Sequence, residues 1–130
     1  MISGKVTPHR EAVIELEIFG AERSKEKVEA VIDTGFNGYL TLPGHLISRL
    51  KLQMAGNRRA TLGDGKAVVL DAYFAEVSWH GQSQEVLVLE TDGGPLVGMS
   101  LLYGNRVVLE VIEDGEVTIA PLPHQTNLGS

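Results

Sequence analysis

Between Ala12 and Phe19 the apolar residues fall on alternate positions. Ile14, Leu16 and Ile18 share one face and Glu15 and Glu17 the other, the two-residue period of a half-buried β-strand. Lys27 to Ile32 repeats it with Val28, Ala30 and Ile32. The same reading predicts strands at Tyr39–Leu42, Arg58–Leu62, Ala67–Ala72, Phe74–Trp79, Gln84–Leu89, Arg106–Val111 and Glu116–Ala120. Asp64-Gly65, His80-Gly81 and Asp114-Gly115 stand between alternating runs, where glycine supplies the positive φ of a tight hairpin. Two short helices interrupt the strands. Gly44 to Leu50 follows Pro43 and spaces Leu46, Ile47 and Leu50 at helical intervals, and Met99 to Tyr103 is a weaker second. Many short strands joined by regular turns predict an all-β barrel or sandwich with one or two short helices. Its 130 residues fit a single domain over 1–121, followed by a polar tail, 122–130, expected to fray.

Composition removes several function classes. With no cysteine, thiol catalysis, cysteine-ligated zinc and disulfides are excluded. A net charge of −6 without a basic stripe argues against nucleic acid as a partner. The mixed-sign cluster Glu22–Glu29 reads as a solvated turn. No apolar run reaches membrane-span length, and the start Met1-Ile2-Ser3-Gly4 lacks a charged-then-apolar signal pattern, so the expected location is the cytoplasm. His9, His45, His80 and His124 are scattered and make no metal-ligand spacing. Gly98-Met99-Ser100-Leu101-Leu102 lacks the second glycine of a nucleophile elbow. Ser24-Lys25-Glu26-Lys27 matches Ser-x-x-Lys only in a charged turn. Trp79 reads as a core or interface aromatic.

The chemistry is concentrated in Val28-Glu29-Ala30-Val31-Ile32-Asp33-Thr34-Gly35-Phe36-Asn37-Gly38-Tyr39-Leu40. An apolar strand runs into an aspartate, and a carboxylate placed there needs partners, since burying an unpaired charge is costly. The following loop offers them: Gly35 and Gly38 let backbone N–H groups approach, and Thr34 adds a hydroxyl. In isolation, an aspartate in such a loop commonly just caps local N–H groups.

Further along the chain, Pro95-Leu96-Val97-Gly98-Met99-Ser100-Leu101-Leu102 puts two apolar residues and a glycine before a short helix. Thr61-Leu62-Gly63-Asp64-Gly65-Lys66-Ala67-Val68 forms a glycine-rich hairpin between the two elements. With Tyr39-Leu40-Thr41-Leu42-Pro43 after the loop, the chain from about 12 to 120 resembles the retropepsin-like aspartic proteases, in particular their small single-domain bacterial type. A bare Asp-Thr-Gly arises by chance in about 3% of chains this long, so the ordered set carries the resemblance. The resemblance implies a retropepsin-like acid protease barrel in which Asp33, Thr34 and Gly35 form the catalytic loop. The Gly35 N–H would bond the carboxylate, and Thr34 would interlock with the loop of a second copy. Leu62, Gly63, Asp64 and Gly65 would form a flap over the substrate, and Val97 and Gly98 would line the groove beneath it. The aliphatic lining of Ala30, Ile32, Leu62, Val68 and Val97 would suit hydrophobic substrate side chains.

Aspartic protease chemistry requires two carboxylates sharing a proton across a water, and this chain has one Asp-Thr-Gly. Asp64, Asp71, Asp92 and Asp114 stand in other contexts. The second carboxylate is therefore expected from Asp33 of another molecule in a two-fold homodimer, with Val6 and Val117–Ala120 on the terminal strands as interface candidates. The expected activity is peptide-bond hydrolysis with no cofactor, on a peptide or protein substrate. The rival reading is a non-catalytic peptide-binding protein of the same fold, and a third is a β-barrel interaction domain in which the motif is coincidental. Asp64 reads either as a hairpin turn residue or as a flap-tip charge favouring basic substrates. Phe36 stands where the family usually carries serine or alanine, so no side-chain hydroxyl there supports the ionised carboxylate, and the added bulk could alter a contact between copies. The pH–rate profile of the protein is accordingly expected to peak above about pH 3.5; a maximum below that value would contradict this reading of Phe36.

Overall fold

The computed structural model of the chain describes residues 1–61 and 64–123. Ten strands and two helices follow in chain order: β1 (Ile2–Val6), β2 (Ala12–Phe19), β3 (Lys25–Ile32), β4 (Leu40–Leu42), α1 (Gly44–Leu50), β5 (Gln53–Thr61), β6 (Ala67–Trp79), β7 (Gln82–Glu90), β8 (Leu96–Val97), α2 (Met99–Leu102), β9 (Asn105–Leu109) and β10 (Glu116–Pro121). Strands take 56% of the chain and helices 9%, so the all-β expectation with two short helices holds. The strands form one sheet in the order β5-β6-β7-β4-β8-β3-β2-β1-β10-β9. A further pairing of β6 with β2, through Ile18↔Val77 and Phe19↔Glu76, closes six of them into a barrel. Among the described residues no helix is long and apolar enough to cross a membrane.

The expected apolar faces fill the barrel. Ile14, Leu16 and Ile18 of β2, Val28 and Ala30 of β3, Leu40 and Leu42 of β4, Val86 and Val88 of β7 and Val97 of β8 belong to one buried cluster with Leu46, Ile47 and Leu50 of α1. The helix ends where Lys51 turns left-handed (φ 52°) and its N–H reaches back into the last turn. Ala30 and Val97 are completely buried, so these two expected groove residues are core.

A second, smaller cluster lies on the opposite face of the same wall. Phe36, Ala60, Ala72 and Leu89 are buried there, with Ala55, Leu70, Leu87 and Leu96 packed around them. This explains why β6 reads as two strands in sequence yet is one. Its apolar residues first face the second cluster (Leu70, Ala72) and then the barrel (Ala75, Val77, Trp79), so the alternation changes phase near Tyr73 while the backbone runs on. β5 also begins five residues earlier than its pattern predicts, because Gln53, Met54 and Asn57 are exposed and leave no alternation to read.

The terminal strands, expected as interface candidates, pair with one another within the chain. β1 pairs with β10 of its own chain (Ile2↔Ile119, Gly4↔Val117), and Val6, Val117 and Ile119 are buried. These strands lie inside the subunit's sheet, whose end strands are β9 and β5. Of the expected tail, Leu122 still donates its N–H to Gly104 O at 2.9 Å; residues 124–130 lie outside the described residues, and with them His124.

Among the described residues, Thr41 is the one polar side chain in the buried set. Its Oγ1 accepts from the Leu96 N–H at 3.0 Å and donates to Gly94 O at 3.5 Å, fixing β8 beside β4. Thr41→Val keeps the shape but orphans the Leu96 N–H. Urea unfolding should show a loss of about 1–3 kcal/mol, and an unchanged midpoint would mean that this bond does not hold β8.

Candidate functional site

Asp33 lies at the end of β3. β8 inserts between β3 and β4, parallel to the first (Val31↔Leu96, Ile32↔Val97) and antiparallel to the second (Leu40↔Val97, Thr41↔Leu96). The loop from Asp33 to Tyr39 therefore arches over the point where β8 passes into α2. Backbone bonds hold it there. Asp33 N–H donates to Val97 O (2.9 Å), Gly98 N–H to Tyr39 O (3.0 Å), Met99 N–H to Phe36 O (2.8 Å) and Ser100 N–H to Gly38 O (3.0 Å). The Ser100 hydroxyl adds a bond to Asn37 O at 2.6 Å.

This closeness requires glycine. A Cβ on Gly98 would collide with the Gly38 carbonyl oxygen, and would lie 2.5 Å from Phe36 Cδ2 and 2.8 Å from Phe36 O. A Cβ on Gly38 would meet Phe36 Cζ at 2.5 Å. Gly98 thus acts beneath the loop as the contact that seats it, and Val97 supports it from the core; neither offers a side chain to an open groove.

The carboxylate itself is half-buried. Its Oδ1 accepts the Gly35 N–H at 2.9 Å, the bond expected of Gly35. Among the described residues no other hydrogen bond to this carboxylate is recorded, so Oδ2 is free to meet water or a second group. Thr34 and Gly35 are exposed at the crest of the loop. Thr34 borders a groove of about 440 Å³ whose walls are almost wholly apolar: Ile32, Met99, Leu102, Tyr103, Val107 and Leu109. Tyr103 is 89% exposed and Met99 46%.

The remaining expected residues lie on the β5–β6 hairpin. Leu62 and Gly63 fall outside the described residues. Asp64 and Gly65 form the turn, Gly65 with φ 84°. Asp64 Oδ1 accepts the Lys66 N–H at 2.9 Å, the bond of a turn-forming aspartate. The other aspartates are placed apart. Asp71 accepts from Asn57 Nδ2 at 2.9 Å on the hairpin, Asp92 lies in the β7–β8 loop, and Asp114 forms the β9–β10 turn with φ 61°.

Sequence reasoning missed the role of Phe36. Its ring is completely buried, held between the loop on one side and Ala60 and Ala72 of the hairpin on the other. It points into the subunit, so the expectation that its bulk alters a contact between copies is corrected: the bulk fills the space under the hairpin. The signal was the surrounding set of small residues, Gly38, Ala55, Ala60, Ala72 and Gly98, which together leave room for one large ring.

Comparison with protein-family models, with curated proteins and with solved structures found no match to this chain.

Removing the Phe36 ring should open a void between loop and hairpin. Phe36→Ala is expected to lower stability by about 3–5 kcal/mol, measured by denaturant unfolding, whereas Phe36→Leu should retain most of it. Equal losses in the two would mean that the ring's volume is not what holds the hairpin to the loop.

Proposed function

We propose that the protein is an aspartic endopeptidase of the retropepsin-like kind, active as a homodimer in which Asp33 of each copy supplies half of the catalytic pair. The observation that carries this reading is the placement of Asp33. A half-buried carboxylate at the end of a core strand is held by one loop N–H, and its chain neighbours Ile32 and Thr34 line an apolar groove. A residue that merely capped its own loop would have no need of such a neighbourhood.

In the proposed mechanism the two Asp33 carboxylates share one proton. The ionised one takes a proton from a water lying between them, and the protonated one donates to the substrate carbonyl oxygen as the hydroxyl attacks. No cofactor is called for. The Gly35 N–H holds one carboxylate oxygen of Asp33, and the β5–β6 hairpin would cover the substrate.

The second copy would sit on the groove beside Thr34. A stable interface of ordinary size takes about 800 Å² from each partner, roughly a tenth of the 7794 Å² this chain exposes. Beyond the groove walls, Val111 and Ile112 at the β9–β10 turn are 71% and 70% exposed. The free edge of β9 adds unpaired backbone groups. Glu110 N–H bonds Glu116 O and Leu122 N–H bonds Gly104 O, so by alternation Asn105, Val107 and Leu109 direct theirs outward. Exposed edges of this kind are open to pairing with another strand.

Sedimentation across protein concentration at pH 5 and pH 7 tests the assembly. A dimer is expected, with Leu109→Glu weakening association at least about tenfold and Asp33→Asn dimerising normally while abolishing peptide cleavage. A strict monomer at both pH values would leave one carboxylate alone in water and favour the non-catalytic peptide-binding reading.

A further inference from the structure

The hairpin over the loop carries charge on its inward face. In the β5–β6 ladder Arg58 stands opposite Leu70 and Ala60 opposite Val68. Arg58 therefore shares a strand face with Ala60, the residue that packs on the Phe36 ring. Below it is a cavity of about 150 Å³ lined by Arg58, Arg59, Ala60, Leu87 and Leu89 on the sheet side and Asn37, Gly38, Tyr39 and Ser100 on the loop side. Its lining combines aliphatic Ala60, Leu87 and Leu89 with cationic Arg58 and Arg59, and one wall is the loop that begins at Asp33.

Arg58 has no acidic partner there. The ion pairs among the described residues are Lys25–Glu17, Arg49–Glu26 and Lys51–Glu22, all elsewhere. The one bond recorded from its guanidinium goes from Nη1 to Asn57 O at 2.7 Å, leaving most of its five N–H donors available. The neighbouring acid on the hairpin, Asp71, is bonded to Asn57 on the other face. A chain of net charge −6 repels acidic peptides overall, so an unpaired arginine facing the candidate substrate path is a local reversal of that field.

We propose that this cavity is a substrate subsite and that Arg58 determines its specificity by binding a carboxylate. The aliphatic stem of the bound residue rests on Ala60, Leu87 and Leu89, and its carboxylate meets the planar fork of the guanidinium, a geometry suited to two parallel hydrogen bonds. The carboxylate belongs either to an aspartate or glutamate side chain or to a free peptide C-terminus. The inference rests on the peptide-cleaving reading of the same site, and its test separates the two.

Randomised octapeptides, acetylated at the N-terminus and either amidated or free at the C-terminus, are incubated with the full chain at concentrations where it has assembled, and products are identified by mass spectrometry. Acidic residues are expected to be enriched at least about fivefold at one fixed distance from the cut. Enrichment should vanish in Arg58→Gln and turn toward lysine and arginine in Arg58→Glu. It should persist in Arg10→Glu, which makes the same charge change in the β1–β2 turn. Enrichment only in the free-acid library, fixed to the C-terminus, assigns the carboxylate to that source. Cleavage with no acidic preference, or with a preference indifferent to Arg58, overturns the subsite and leaves the protease reading standing. If the wild-type chain cuts nothing, the protease reading falls, and the same libraries are passed over immobilised protein. Retention of acidic peptides that Arg58→Glu abolishes then supports the subsite in a binding protein, and its absence overturns the subsite as well.

Discussion

The contact on which this architecture turns is the one between Gly98 and the 36–38 backbone. A Cβ at residue 98 would strike both the Gly38 and the Phe36 carbonyl oxygens, so the two segments meet backbone to backbone. That proximity lets Met99 and Ser100 donate to Phe36 O and Gly38 O. It also fixes the ends of β3 and β4 on either side of β8 and leaves Asp33 half-buried at the foot of the exposed Thr34-Gly35 crest. Because the loop is held by main-chain bonds, its side chains are free for other tasks. Phe36 turns inward to carry the hairpin, and Thr34 turns outward beside the apolar groove.

The strands with one buried face were legible in the sequence. β2, β3 and β10 show a single alternation because one face meets the barrel core and the other is largely open to solvent. β6 passes between two cores, so its apolar residues change face and the periodic signal breaks at Tyr73. β5 lies at a sheet edge with both faces largely wet along its first half, and it carries no signal there. The loop at Asp33 was readable through its glycines, and the Gly35 bond to Asp33 Oδ1 is present as expected. The inward orientation of Phe36 was not readable, since it depends on Ala60 and Ala72, more than twenty residues away in the chain.

The sheet's end strands separate this chain's edge from its termini. β1 and β10 complete one another inside the subunit, and the barrel closes through β6 and β2. The main core therefore needs no second copy to be buried. Association would then add to a domain already folded, through the apolar groove and the β9 edge, and the fraction assembled would follow protein concentration. On the proposed reading, activity is switched by that same mass action, because a lone subunit has only one Asp33.

Phe36 gives this arrangement a mechanical consequence. One ring touches both the loop that bears the carboxylate and the strands of the hairpin that would cover a substrate. A hairpin with only exposed contacts opens at little free-energy cost, but here its base is anchored by a completely buried aromatic and two alanines fitted to it. Arg58, one alternate position before Ala60 on the same face, lies near that anchored base. A charge placed there sits beside the loop that begins at Asp33, which is what a specificity contact requires.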